Sequence, residues 1–141
     1  MTVHTKVSAN RSDKSYREEV EAAFRTIISW SGDDLDHCEY HIAPIIGQAW
    51  VAYVPKGRVV GISKLARVVE AHAKRFQTQE RLTSEVASAV QATQRPEGVG
   101  VILKATHHCM SSRGIHKAGS DLVTSCMLGC LRENAITVQE F

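Results

Sequence analysis

The sequence predicts an α+β fold, an antiparallel four-stranded sheet backed by a long helical pair, with a further helix near the N-terminus. Apolar residues repeat at helical spacing between Ser63 and Ala92, while strand-like runs occupy "GQAWVAYVPKGRVVGI", "VGVILKATHHCM" and "DLVTSCMLGCLRE". The order of these segments is helix, two strand segments, helical pair, two strands. That order suits a sheet with helices on one face.

Each element has a local reason. Residues 1–14, "MTVHTKVSANRSDK", are polar and are expected to be flexible. Ser15 and Glu18 form a Ser-x-x-Glu capping box that opens a helix over 15–32. Tyr16, Val20, Phe24, Ile27 and Ile28 supply its apolar stripe, and Gly32 stops it. The run from Gly47 to Ile62 reads as two strand segments about a Pro-Lys-Gly turn. Leu65, Val68, Val69, Phe76, Leu82, Val86 and Val90 form the apolar face of the helical pair, with a break near Gln77 and Thr78. "RPEG" ends that region. The last two strands are joined by the loop "SSRGIHKAGS", and residues 33–141 make up the main domain.

Composition narrows the function classes. At 141 residues the chain suits one domain with a true core, being 43% hydrophobic and 23% charged. A net charge of +2 without a basic run gives no footprint for nucleic acid. The N-terminus lacks the apolar core of a signal peptide, and no stretch is apolar for long enough to span a bilayer. A cytoplasmic location is expected, with Cys38, Cys109, Cys126 and Cys130 as free thiols, ligands or core residues.

Two clusters carry the chemistry. "HCEYH" gathers a thiol, a carboxylate, a phenol and two imidazoles into His37–His41, and "THHCM" spans Thr106–Met110. Strand alternation puts Val101, Leu103, Ala105, His107 and Cys109 on one face, with Lys104, Thr106, His108 and Met110 on the other. Cys38 and His41, three apart in a turn, can converge on one ion. With Cys109 they would give zinc three protein ligands and leave a fourth position for water, the pattern of catalytic sites. Spacing alone leaves the plainer reading open, since buried cysteines commonly serve as small apolar residues. Cys126 and Cys130, on one face of the last strand, take that plainer reading. His4, His72 and His116 read as surface or structural residues.

With those residues placed, the chain resembles the GTP cyclohydrolase I family from about Cys38 to the C-terminus. The motifs "CEYH", "GISKLAR", "QTQERLT", "ATHHCMSSRG" and "VTSCMLG" follow in family order. The resemblance implies the tunnelling fold, in which subunits pool their sheets into a homo-oligomeric ring, usually a decamer, with active sites between subunits. It implies zinc on Cys38, His41 and Cys109, and His107 as catalytic histidine. It further implies that Ser63, Lys64, Arg67 and Arg113 hold the ribose and phosphates, and that Gln79 and Glu80 receive the guanine. The chemistry suits these types. One carboxylate accepts from both guanine N1–H and the N2 amino group, and the guanidinium fork fits phosphate oxygens.

Two departures from the family stand out. Tyr40 replaces the first histidine of Cys-Glu-His-His, an acid–base residue, and a phenol titrates near 10. The family's second N-terminal helix, with Thr-Pro-x-x-Arg, and the full strand after it are expected to be missing ahead of Cys38.

The sequence therefore reads as a zinc-dependent hydrolase that opens the imidazole ring of a guanine nucleotide, GTP first, and stops at a formamidopyrimidine in a specialised purine- or pterin-derived pathway. The alternatives are complete turnover to dihydroneopterin triphosphate and formate, or a non-catalytic guanine-nucleotide-binding relative. The nitrile reductase branch of the fold, which uses a nucleophilic cysteine and no zinc, is disfavoured by the paired Cys/His motifs.

Overall fold

A computed structural model describes residues 2–6, 24–30, 36–56, 59–113 and 116–133. Its spine is β4 (Pro44–Val54), an 11-residue strand. On one side β4 pairs antiparallel with β6 (Gly98–His107), from Ile45 opposite His107 to Val54 opposite Gly98. Beyond β6 lies β7 (Asp121–Gly129), also antiparallel.

The other side of β4 is shared. β2 (Phe24–Trp30) pairs with Gly47–Tyr53, and β3 (Asp36–Cys38) pairs with Pro44 and Ile45. β1 (Thr2–Lys6) continues the sheet past β2, and β5 (Phe76–Gln77) runs parallel to β3. Among the described residues the sheet is thus seven-stranded and mixed, rather than four-stranded and antiparallel.

Two helices cover one face. α1 (Ile62–Ala73) buries Leu65, Ala66, Val69 and Ala73. α2 (Gln79–Gln94) buries Leu82, Val86, Ala87 and Val90 and packs on β6 and β7. Thr78 caps α2 by accepting from the Arg81 amide, and Arg95 closes it in the left-handed region just before Pro96. Facing these side chains, Ile45, Ala49, Val51 and Tyr53 of β4 meet Val99, Val101, Leu103 and Ala105 of β6 in one core. Full burial of one of its valine, leucine or isoleucine side chains is worth about 1.5–3 kcal/mol, and this core holds the sheet against the helices. None of the described helices is long and apolar enough to cross a membrane.

Several expectations are corrected. Thr2–Lys6 is not loose but a strand. Phe24–Trp30 is also a strand, where a helix was expected over 15–32; residues 7–23 and 31–35 lie outside the described residues. The spacing of Phe24, Ile27 and Ile28 fits a helix, but "FRTIISW" is rich in β-branched and aromatic residues. Short apolar runs of this kind follow the available ladder partner, here β4. This strand stands ahead of Cys38, where none was expected. Among the described residues between Pro55 and Ile62 there is no second strand: Val60 donates its amide to the Tyr53 hydroxyl at 2.9 Å, and α1 starts at Ile62. β6 stops at His107, and His108–Ser111 form a helical turn, α3. β7 stops at Gly129, whose φ of 61° turns the chain into α4 (Cys130–Glu133), so Cys130 leaves the strand that holds Cys126.

Candidate active site

The register of β4 brings the two sequence clusters together. Ile45 faces His107 on one side and pairs with β3 at Asp36 on the other. The start of β4 therefore lies between the end of β3, carrying Cys38, and the end of β6. From Cys38 the chain turns tightly. His41 and Ile42 donate their amides to the Cys38 carbonyl at 3.2 and 2.8 Å, and Cys38 donates to Ala43 O at 3.0 Å. This turn places the Cys38 Sγ 3.4 Å from His41 Nδ1. The α3 turn then swings Cys109 in from the opposite side of β4.

The ligand atoms of Cys38, His41 and Cys109 all lie within 4.8 Å of one another. Tetrahedral ligands at zinc bond lengths stand roughly 3.5–3.8 Å apart, so a small closure completes the site. Two soft thiols and an imidazole suit zinc, and three protein ligands leave one position open. Cys38 is buried, Cys109 half-buried and His41 exposed, so the open side faces outward. Burial, then the neighbouring Cys38, raise the Cys109 thiol pKa above its ordinary value.

His107 ends the buried face of β6. Burial lowers its pKa, and the Glu80 carboxylate nearby opposes that shift. Its Nε2 lies 2.8 Å from Gln79 Oε1. Gln79 and Glu80 are neighbours in the first turn of α2 but face opposite ways. Gln79 is wholly buried, whereas Glu80 is exposed.

The basic residues divide into two groups. Arg113 donates from Nη2 to the His41 carbonyl at 2.6 Å, which seats it at the cluster. Ser63, Lys64 and Arg67 lie exposed on α1, and among the described residues none hydrogen-bonds to the cluster. Tyr40 is 74% exposed, its ring edge-on to His41 at 6.5 Å.

Two features escaped sequence reasoning. Glu39 of "CEYH" accepts from Arg81 of "QTQERLT", and Arg81 also donates to Phe76 O at 3.1 Å and to Gln77 Oε1 at 2.8 Å. One guanidinium thus ties the metal-type turn to β5 and α2. The other feature is Ile42, with φ of 53°. A β-branched side chain rarely adopts this left-handed conformation, and no local signal in "YHIAP" announces it.

Fold and site together define a tunnelling-fold protein with a Cys–His–Cys cluster at the junction of three strands. By fold it is similar to the crystal structure of archaeosine synthase QueF-Like in the apo form, at 19% identity and a TM-score of 0.58 over 76% of this chain and 91% of that one. By sequence, the family model for GTP cyclohydrolase I matches residues 9–141. GTP cyclohydrolase 1 2 of Nostoc sp. is 53% identical over 109 residues, and GTP cyclohydrolase 1 of Synechococcus sp. is 45% identical over 136 residues. The matches cover 77% and 89% of this chain but 50% and 59% of those relatives, so the chain spans little more than half their length. The chain belongs to the GTP cyclohydrolase I family.

The strain at Ile42 is testable. Ile42 is 71% exposed, so Ile42→Gly forfeits little burial while removing a left-handed penalty of about 1–2 kcal/mol. Glycine gives back part of that gain as unfolded-chain entropy. The expected result is a rise in unfolding free energy of up to about 1 kcal/mol in urea denaturation. A fall would mean that the isoleucine side chain supports the turn.

Proposed function

We propose that this chain forms the active site of a zinc-dependent hydrolase that opens the imidazole ring of a guanine nucleotide at C8, with GTP as first candidate. The observation that carries this reading is the convergence of Cys38, His41 and Cys109 beside His107, in a member of the GTP cyclohydrolase I family. Zinc held there would bring the pKa of a ligated water to about 7 and so supply a nucleophile at neutral pH.

The chain's own residues do the rest. Glu80 accepts from N1–H and the N2 amino group of guanine. Arg113, with Ser63, Lys64 and Arg67, holds the ribose and phosphates. His107 carries a proton to N9 as the C8–N9 bond opens. Gln79 stood beside Glu80 as a guanine contact on the family pattern, but its buried side chain, with both N–H groups engaged and its oxygen on His107, supports a different role.

Assembly into a homo-oligomeric ring, a decamer on the family pattern, completes this reading. Among the described residues β7 pairs only with β6, and Val123 on it is 59% exposed, which leaves a strand edge in need of cover. Phe76, Tyr40 and Ile42 are further exposed apolar side chains around the site. Light scattering reads the assembly directly, and a monomer at micromolar concentration refutes the shared site.

Complete turnover to dihydroneopterin triphosphate and formate, the outcome on the family pattern, is the second reading, and the Nostoc and Synechococcus relatives carry the GTP cyclohydrolase 1 name. The choice falls at Tyr40. Hydrolysis of the formamide that follows ring opening needs further proton transfers, and a phenol is a weaker acid–base group there than an imidazole.

The metal reading expects one zinc per subunit by elemental analysis. Cys109→Ala should lose both zinc and GTP turnover, and retention of stoichiometric zinc in that variant would remove Cys109 from the ligand set. The guanine reading expects Glu80→Gln to weaken GTP binding about tenfold or more, since an amide N–H then opposes a donor edge, while zinc content stays normal. Unchanged affinity in calorimetry would make Glu80 an ordinary surface residue. Mass-detected chromatography after incubation with GTP should show a formamidopyrimidine nucleotide and little pterin. Tyr40→His should shift the product toward formate and pterin. Rapid pterin formation by the unaltered protein would refute the stop at Tyr40.

A further inference from the structure

We infer that Gln79 is a positioning residue for His107: its side-chain oxygen holds the imidazole with Nε2 protonated and leaves Nδ1 as the ring's acceptor. The inference rests on the proposed hydrolase reading only for its consequence in turnover. Its structural basis is the set of groups around one buried amide.

The orientation of that amide follows from its surroundings. Gln79 Nε2 lies 3.1 Å from the Leu103 carbonyl and 2.9 Å from the Leu122 carbonyl, with Thr124 Oγ1 at 3.2 Å. Carbonyl oxygens cannot donate, so the atom facing two of them must be the NH2 group. Exchanging the amide O and N would set the buried side-chain oxygen against two carbonyl oxygens. The hydroxyls agree with this assignment. Thr83 donates to the Gln79 carbonyl at 2.7 Å, so its lone pairs face Thr124, which donates to it across 2.6 Å. The Thr124 oxygen is then free to accept from Gln79. Main-chain groups of β6 and β7 thereby fix the side-chain oxygen of Gln79 on the side of His107.

An amide oxygen only accepts. The Nε2 facing it at 2.8 Å must therefore carry hydrogen, whether the ring is neutral or charged. In the neutral ring the lone pair then resides on Nδ1, and that nitrogen is the one able to take a proton. The hydrogen bond also fixes the ring plane at the end of β6, two residues before Cys109. Gln79 has no free N–H and no exposed atom to offer a nucleotide. Its side chain is 0% exposed, its oxygen serves His107, and its two N–H groups already face three acceptors. Guanine recognition falls to Glu80, one residue on and turned outward.

The test is nitrogen-15 NMR on the full chain labelled at histidine, with His107 assigned by the signal lost in His107→Asn. The expected spectrum shows His107 protonated at Nε2 and bare at Nδ1, with an Nε2–H proton that exchanges slowly because it points at a buried oxygen. Gln79→Met keeps the length of the side chain without the amide. It should abolish the slow exchange and lower kcat for GTP at least tenfold with KM within about twofold and zinc content unchanged. A wild-type ring protonated at Nδ1, or an Nε2–H in fast exchange, overturns the inference. A raised KM with unchanged kcat in Gln79→Met also overturns it, by restoring a guanine contact. If GTP is not the substrate, or Gln79→Met does not fold, the wild-type spectrum decides alone.

Discussion

Everything at the site depends on the pairing at the start of β4. Ile45 is hydrogen-bonded into β3 on one side and opposite His107 on the other, and is itself fully buried. A strand pair cannot slip by one residue without exchanging its inner and outer faces. With Ala49, Val51 and Tyr53 facing the core from the same strand, the register is pinned along its length. The separation between the Cys38 turn and the Cys109 turn is therefore set by the width of one strand. No loop has to find its partner unaided.

A polar layer is built on that frame where hydrophobic packing ends. Gln79, Thr83 and Thr124 satisfy one another and three main-chain carbonyls at the end of the core, and His107 closes the layer. A buried network of this kind is costly when incomplete and rigid when complete, and here each side-chain group has a partner. On the outer face of the sheet, Asp121 accepts from Thr106 at 2.7 Å and pairs with Lys104 at 3.1 Å, which joins the neighbouring ends of β6 and β7. The Thr106 hydrogen bond, then Lys104, holds the Asp121 carboxyl below its ordinary pKa. The site is thus stiff on the side of α2 and β6. Its other side, with Tyr40 and Ile42, is exposed and carries the strained backbone. Strain of this kind persists only where the surroundings over-determine it, and the backbone hydrogen bonds between Cys38 and residues 41–43 bracket it here.

Much of this was legible in the sequence, because the signals were local. The helical pair and its break near Gln77 and Thr78 follow from apolar period, and the structure places α1, β5 and α2 there. The three metal-type ligands were legible as chemistry, through residue types and motif order. Strand alternation accounts for His107 but not for Cys109: β6 ends at His107, and a helical turn carries Cys109 inward.

What the sequence determined by itself was composition-level class, the helical pair, the inner face of β6 and the residues able to bind a soft metal. Each of these depends on side-chain type and on spacing within a few residues. Only the tertiary structure decided that Phe24–Trp30 is a strand, that Glu39 belongs to Arg81, and that Gln79 serves His107. The first depends on whether a partner strand offers unpaired backbone groups, the others on which side chains meet across 42 and 28 residues of chain. Hydrogen-bond partners so far apart are chosen by register and burial, and neither quantity is present in any short stretch of sequence.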